Sequence, residues 1–216
     1  MIEVARKLSR LPRGRREQVS VTGRRPPANF PPALRASKPE TAIQRKTEAY
    51  LDPFFTGRLM HVGVAEWKTA RKPDALKTTL GSCVGVVLYA PRAATGGLAH
   101  VLLGEAPTGK IVKKGKYARP AILGLVAELK DQGVPTEDLR ARVFGGASMF
   151  NAGQATFLQQ IGAENLRIVR QVLKELKITL VSEDTGGSAG RTITLFLDDG
   201  RVLLRANGRE RFIYKT

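Results

Sequence analysis

The chain has 216 residues, of which 42% are hydrophobic, so it can bury a substantial core and fits one domain of ordinary size better than two. It has no run of eighteen apolar residues, which argues against a membrane-spanning helix. Its basic N-terminus lacks the apolar segment of a secretory signal, so we expect a cytoplasmic protein. One cysteine and two histidines exclude an intramolecular disulfide and a multi-cysteine zinc site, while a net charge of +17 points to an anionic partner such as nucleic acid, a membrane surface or an acidic protein.

Residues 1–56 differ in composition from the rest of the chain. They hold twelve basic and five acidic residues, and seven of the twelve prolines. Paired prolines and few large apolar side chains cannot offset the entropy of ordering, so we predict a disordered basic arm over 1–56. The arm is interpreted either as an electrostatic tether to an acidic partner or nucleic acid, or as an extension with no role.

Residues 57–216 have the pattern of a folded domain. Strands are predicted at residues 59–64, 83–89, 98–103, 140–144, 177–182, 192–197 and 202–205. Helices are predicted at 120–130 and 164–177, where apolar residues recur at helical spacing. Gly96-Gly97 and Asp199-Gly200 are predicted turns between neighbouring strands. This order indicates an α/β fold with a mixed β-sheet core, allowing two packed sheets, flanked by helices.

Cys83 follows a tight turn predicted at Gly81-Ser82 and begins an apolar run. A cysteine in this setting is most often an inert buried residue. However, a sharp turn before a nucleophile exposes it and directs backbone N–H groups to the same place, as an oxyanion hole requires. The thiolate is the reactive form of cysteine, so a nucleophilic role needs a neighbouring base.

Two histidines could supply that base, His61 and His100. If the strands at 83–89 and 98–103 pair, His100 approaches Cys83, whereas His61 has no such link. A single histidine in an apolar strand is usually a core residue, so spacing alone leaves the pairing open.

Two glycine-rich segments are further candidates. Gly145 and Gly146 either let a substrate backbone approach or form a tight turn that needs positive φ. Residues 184–191 lack the order of a phosphate-binding loop, so we expect no nucleotide site there but a flexible loop, with Arg191 an ordinary surface charge.

Six segments in order are similar to those of the CheD family, the chemoreceptor glutamine deamidases of bacterial and archaeal chemotaxis. They read TTLGSCVGVVLYAP (78–91), GGLAHVLL (96–103), RVFGGASMF (142–150), IGAEN (161–165), DTGGSAGRT (184–192) and DGRVLLR (199–205). The resemblance covers about residues 59 to 206 and implies a fold like that of cysteine hydrolases. The basic arm has no counterpart in the family pattern.

The resemblance implies a catalytic cysteine, histidine and threonine. The first two fall on Cys83 and His100, and the third on Thr78 or Thr79. Thr78 is favoured because alternation along a strand turns only one of the two toward the site. Ala99 stands where many relatives carry asparagine.

The implied reaction is hydrolysis of glutamine side chains to glutamate on methyl-accepting chemoreceptors, with Cys83 as nucleophile and an oxyanion site around Gly81 and Ser82. Gly145 and Gly146 are the candidate substrate contacts. Glutamyl methyl ester hydrolysis is a related activity of some relatives. The expected partners are the receptor's cytoplasmic domain and a CheC-type phosphatase, with no small-molecule cofactor, no metal and no membrane insertion.

Two other functions remain open from the sequence. A chemotaxis adaptor would bind receptors or the phosphatase without using its thiol. A nucleic-acid-binding protein would fit the charge, but the sequence has no helix-turn-helix, aromatic RNA-binding block or basic helix.

Overall fold

The computed structural model describes residues 55–107, 114–148 and 156–213, all within a compact unit spanning Leu51–Thr216. The predicted arm lies outside the described residues except for its last two positions, so both its disorder and the domain boundary at 57 stay predictions. Side chains are described for these ranges except at 114 and 156–160.

The described residues form ten strands and two α-helices. The strands are β1 (Leu59–His61), β2 (Trp67–Arg71), β3 (Ala75–Leu80), β4 (Val84–Ala90), β5 (Thr95–Val101), β6 (Arg140–Gly145), β7 (Thr179–Thr185), β8 (Arg191–Phe196), β9 (Val202–Ala206) and β10 (Arg209–Ile213). The helices are α1 (Ala118–Asp131) and α2 (Thr156–Glu175), with short 3-10 turns at Lys114–Lys116 and Thr136–Asp138. Neither helix in the described part of the chain is long and apolar enough to cross a membrane.

The strands form two five-stranded sheets. Sheet A has the order β1-β3-β8-β9-β10, and sheet B the order β2-β5-β4-β6-β7. Each sheet is mixed, because β1 pairs with β3 and β6 with β7 in parallel while the other pairs are antiparallel. The predicted α/β class with a mixed core is therefore confirmed, in its variant with two packed sheets.

Strand β4 is buried along its whole length because it lies between two cores. Val84, Val86 and Leu88 pack with helices α1 and α2, whereas Val87 and Tyr89 pack toward sheet A. This explains the uninterrupted apolar run in the sequence, since an alternating pattern is expected only where one face meets solvent. The strand predicted at 83–89 is confirmed within one residue.

The predicted Gly96-Gly97 turn is wrong. Both glycines lie inside β5, and residues 91–94 connect β4 to β5 instead. A Cβ at Gly97 would sit 2.4 Å from Leu125 Cδ1, so the glycine lets helix α1 pack closely on the sheet. The Asp199-Gly200 turn is confirmed between β8 and β9.

Three strands, β2, β3 and β10, were missed, and several elements have other bounds than predicted. β2 and β10 are edge strands with exposed or half-exposed charged residues, so they lack a clear apolar alternation. β1 ends at His61, because the chain turns after Val62 through Ala65, which has φ of 60°. Helix α2 begins at Thr156, earlier than the predicted 164.

Candidate active site

The candidate nucleophile Cys83 lies on a turn between the two sheets. Strand β3 of sheet A ends at Leu80 and strand β4 of sheet B begins at Val84, so Gly81, Ser82 and Cys83 form the crossing. Cys83 is half-buried at the edge of the core between the sheets. Its thiol is therefore sheltered on one side and accessible on the other, as a nucleophile needs to be.

Surrounding groups hold all three carbonyls of this turn. The bonds are Ala147 N to Gly81 O at 2.9 Å, Asn165 Nδ2 to Ser82 O at 3.3 Å and Gly146 N to Cys83 O at 2.8 Å. In contrast, the N–H groups of Ser82 and Cys83 donate to no oxygen among the described residues. Two adjacent amides beside a thiol, with no oxygen acceptor in the described part of the chain, are the arrangement expected of an oxyanion site.

Gly145 and Gly146 support this turn from strand β6. Their φ angles are 98° and 65°, which favour glycine, and a Cβ at Gly145 would lie 2.2 Å from Cys83 O. Of the two interpretations of this pair, the tight turn with positive φ is present. Contact with a substrate stays a prediction.

His100 and Cys83 project from the same face of sheet B. Gly85 pairs directly with His100 across β4 and β5, and Cys83 precedes Gly85 by two residues. Cys83 lies just before β4 and packs against the core between the sheets, on the side of sheet B where His100 meets Thr78 of sheet A. The space beside Gly85 is filled by Leu80, whose Cδ1 lies 2.7 Å from where a Cβ would stand. No hydrogen bond joins the two predicted partners, because His100 Nε2 has no partner among the described residues.

Thr78 contacts His100 from the opposite sheet. Its Oγ1 lies 2.8 Å from His100 Nδ1 and donates a hydrogen bond to Val62 O, also at 2.8 Å. A hydroxyl has one hydrogen, so Oγ1 must accept from Nδ1–H. The neutral imidazole is thereby fixed as the tautomer with its lone pair on Nε2, the buried atom that has no hydrogen-bond partner within the ranges that the structure describes.

Thr79 faces away from this site. It is exposed, and its Oγ1 lies 2.9 Å from Thr192 Oγ1. Alternation along β3 thus brings Thr78, and not its neighbour, to the histidine. The catalytic role of Thr78 stays a prediction.

At rest both candidate reactive groups are neutral. Burial, with a smaller contribution from the charge of His61, lowers the pKa of His100 from 6.5 to about 4. Burial also raises the pKa of the Cys83 thiol, and the Cys83 N–H opposes part of that rise. The resting pair is therefore thiol and imidazole, not the thiolate beside an imidazolium that low-pKa cysteines have.

His61 lies apart from Cys83, Thr78 and His100. Its side chain is exposed, and in sheet A it pairs with Lys77. It acts on His100 only through its charge. Of the two histidines, the structure brings only His100 to the threonine and to the sheet face of Cys83.

The expectation that Arg191 is a surface charge is wrong. It is 8% exposed, its guanidinium donates to Gly145 O at 3.1 Å and Gly186 O at 3.0 Å, and it forms an ion pair with Asp184 at 2.8 Å. Burial of this charge is offset by the nearby Asp184 carboxylate and by the two carbonyl acceptors of the terminal guanidinium nitrogens. Arg191 thereby supports Gly145, which contacts Cys83.

Sequence reasoning gave no role to Arg191 or to Asn165. Asn165 is 1% exposed and donates to Ser82 O and to Leu102 O. Both residues lie in segments that resemble the family, IGAEN and DTGGSAGRT, and that resemblance was the only signal available for them.

A groove of about 660 Å³ adjoins the turn on the side of Asn165. It is lined by Leu103, Gly104, Glu105, Ile161, Ala163, Glu164, Asn165 and Arg167. In the part of the chain that the structure describes, no three side chains of His, Cys, Asp or Glu converge as metal ligands would.

A family model described as "CheD chemotactic sensory transduction" matches residues 102–206. The matched segment begins two residues after His100, so it includes neither the turn of Cys83 nor Thr78. It includes Gly145, Asn165 and Arg191, which surround that turn.

Curated relatives are similar over a longer part of the chain. A probable chemoreceptor glutamine deamidase CheD of Moorella thermoacetica is 46% identical over 151 residues, which cover 68% of this chain and 90% of that protein. The chemoreceptor glutamine deamidase CheD of Thermotoga maritima is 40% identical over 148 residues, covering 68% and 91%. The crystal structure of a Bacillus licheniformis hypothetical protein, YfiH, has 14% identity and a TM-score of 0.34, covering 63% of this chain and 62% of that one.

Proposed function

The chain belongs to the CheD family, and from that premise we propose that it hydrolyses glutamine side chains of methyl-accepting chemoreceptors to glutamate. Relatives at 40% and 46% identity carry the name chemoreceptor glutamine deamidase. The observation that carries the chemistry is the contact between Thr78 and His100, which leaves Nε2 of the imidazole as a free base on the sheet face of Cys83.

In the first step, Cys83 Sγ attacks the carboxamide carbon of glutamine while its proton passes to His100 Nε2. A carbon–sulfur bond forms, and the carbonyl π electrons move to oxygen. Because thiol and imidazole are both neutral at rest, proton transfer accompanies the attack and does not precede it.

The negative oxygen of this tetrahedral intermediate faces the N–H groups of Ser82 and Cys83. These amides are fixed before the substrate arrives, because the carbonyls on either side of them are already hydrogen-bonded. Donors held in place in this way stabilise developing charge without reorganising.

His100 then gives its proton to the nitrogen, the carbon–nitrogen bond breaks, and ammonia leaves behind a thioester. Water donates a proton to Nε2 as its oxygen attacks the thioester carbon. The carbon–sulfur bond then breaks, Nε2 returns the proton to the sulfur to restore the Cys83 thiol, and the new carboxyl group releases its proton to solvent to give glutamate. In both half-reactions Thr78 accepts from Nδ1–H and stabilises the imidazolium without itself taking a proton.

The same site suits a glutamyl methyl ester, since only the leaving group changes from ammonia to methanol. We propose ester hydrolysis as a secondary activity. The proposed partners are the receptor's cytoplasmic domain and a CheC-type phosphatase, both expected from the family.

The test incubates a chemoreceptor cytoplasmic fragment from the same organism with the intact chain in heavy-oxygen water. We expect discrete glutamines to become glutamates that each carry one heavy oxygen, and no conversion with Cys83→Ala. A folded protein whose thiol reacts with iodoacetamide but which converts no glutamine in several receptors would overturn the deamidase. Receptor binding without conversion would then favour the adaptor.

A further inference from the structure

Asn165 is a buried polar side chain for which the proposed chemistry has no assigned use. It lies on helix α2, is 1% exposed, and belongs to a helix face that packs on sheet B beside Leu166 and Val169. Its amide has two hydrogens, and both are donated, to Ser82 O at 3.3 Å and to Leu102 O at 3.0 Å. A buried asparagine needs such partners. Here one carbonyl belongs to the turn that carries Cys83, and the other belongs to the segment that follows His100.

Ser82 O belongs to the peptide unit that also carries the Cys83 N–H. In a trans peptide the C=O and N–H bonds point in opposite directions. The only cis peptide in the described residues is Lys72-Pro73, so the Ser82–Cys83 unit is trans. When Asn165 holds Ser82 O, it therefore turns the Cys83 N–H to the opposite side, away from helix α2.

Leu102 O lies two residues after His100 on the chain that leaves β5. One side chain thus connects the turn that carries the nucleophile to the segment that follows the proposed base. Helix α2 supplies the rigid support, since Leu166, Val169 and Val172 lie in the core shared with sheet B.

We propose that Asn165 is a positioning residue that sets the orientation of the Cys83 N–H and so completes the oxyanion site. The inference rests on the proposed function for its effect on turnover. Its effect on the thiol is independent of any substrate, because the dipole of an N–H next to the Cys83 sulfur favours the thiolate and so lowers the pKa of the thiol.

The test compares the intact chain with Asn165→Leu, which keeps the side-chain size and removes both donors. We expect kcat for receptor deamidation to fall about 10- to 100-fold, with KM within about twofold, because one oxyanion donor is misaligned. The rate of iodoacetamide alkylation, which reports Cys83 alone because it is the only cysteine, should rise at higher pH than in the intact chain.

The matched control is Val172→Ala, a buried position about two turns further along the same helix, in the core shared with helix α1. It should lower the melting temperature while leaving kcat and the alkylation profile unchanged. Asn165→Asp has the same size and remains polar, so it serves if the leucine variant does not fold, and it should lose kcat at neutral pH.

Unchanged kcat and an unchanged alkylation profile in Asn165→Leu or Asn165→Asp would overturn the proposal. So would parallel losses in Val172→Ala, since they would indicate a general effect of helix stability. If the intact chain deamidates nothing, the proposed function fails, and the alkylation profile still decides the orientation of the turn.

Discussion

Thr78 Oγ1 lies 2.8 Å from His100 Nδ1, and the two residues come from different sheets. The hydroxyl's single hydrogen is donated to Val62 O, so Thr78 accepts from the imidazole. A pair across the gap between the sheets therefore fixes which ring nitrogen acts as the base. The site depends on the packing of the two sheets as much as on the residues themselves.

The Thr78 hydroxyl should be required for full activity. Thr78→Val should lower kcat at least about 10-fold, because the imidazole loses the partner that fixes its tautomer and stabilises its charged form. Thr78→Ser keeps the hydroxyl and should retain most of the activity. Thr79→Val is the matched control, since Thr79 is exposed and turned away from His100. Equal activity of Thr78→Val and Thr79→Val in a deamidation assay would contradict this role.

Acid should destabilise the protein through His100. At pH 7 the imidazole is neutral in the folded chain and mostly neutral in the unfolded chain, so it contributes little to the pH dependence there. Below pH 6.5 the unfolded imidazole binds a proton, which the folded one does not take up until about pH 4. The free energy of unfolding should therefore fall by about 2 kcal/mol between pH 7 and pH 5 from this group.

Urea unfolding at several pH values measures this loss. His100→Gln cannot titrate, so its free energy of unfolding should fall less over the same range. The window lies above the pKa values of the ion-paired carboxylates, such as Glu175 at about 2, which lose their contribution at lower pH. Identical pH dependence in the two proteins would show that His100 titrates normally.

Gly145→Ala should disable the site. The new Cβ would lie 2.2 Å from Cys83 O at a φ of 98°, so the nucleophile turn or strand β6 must shift. Gly133→Ala is the control, because Gly133 has a similar φ of 85° with nothing within 4 Å of its Cβ position. Both variants should lose about 1 kcal/mol or more of stability, measured by thermal unfolding, but only Gly145→Ala should lose deamidation. Full activity of Gly145→Ala would show that the turn tolerates displacement.

Whether the basic arm predicted at 1–56 attracts the receptor can be tested by varying the ionic strength. If it attracts acidic receptor surfaces, replacing Arg13, Arg15 and Arg16 by glutamine in the full chain should raise KM at low ionic strength and leave kcat unchanged. The difference should disappear at high salt, where exposed charges are screened. Identical KM values at low salt would indicate an extension without a role in receptor binding.

Much of the candidate site could be predicted from local sequence, but the side chains that hold its turn in place could not. The turn before Cys83 and the strand after it are visible as Gly81-Ser82 and an apolar run, and pairing of β4 with β5 follows from their proximity along the chain. The choice of Thr78 over Thr79 needed the phase of strand β3, which only its neighbours β1 and β8 fix.

Asn165 and Arg191 could not be found in this way, because the carbonyls that link them to the nucleophile turn and to Gly145 lie 83 and 46 residues away in sequence. Such contacts have no local pattern, since any residue presents a carbonyl. The edge strands β2 and β10 were missed for a related reason. Pairing on one side only lets charged residues occupy them, which removes the alternation that indicates a strand.

Catalysis by Cys83 and His100 is tested most directly by mass spectrometry of one receptor fragment treated in parallel with the intact chain, Cys83→Ser and His100→Gln. We expect glutamate at discrete positions with the intact chain, none with Cys83→Ser, and a rate at least about 100-fold lower with His100→Gln, since a general base is lost. Deamidation by Cys83→Ser or His100→Gln at the rate of the intact chain would contradict catalysis by this pair.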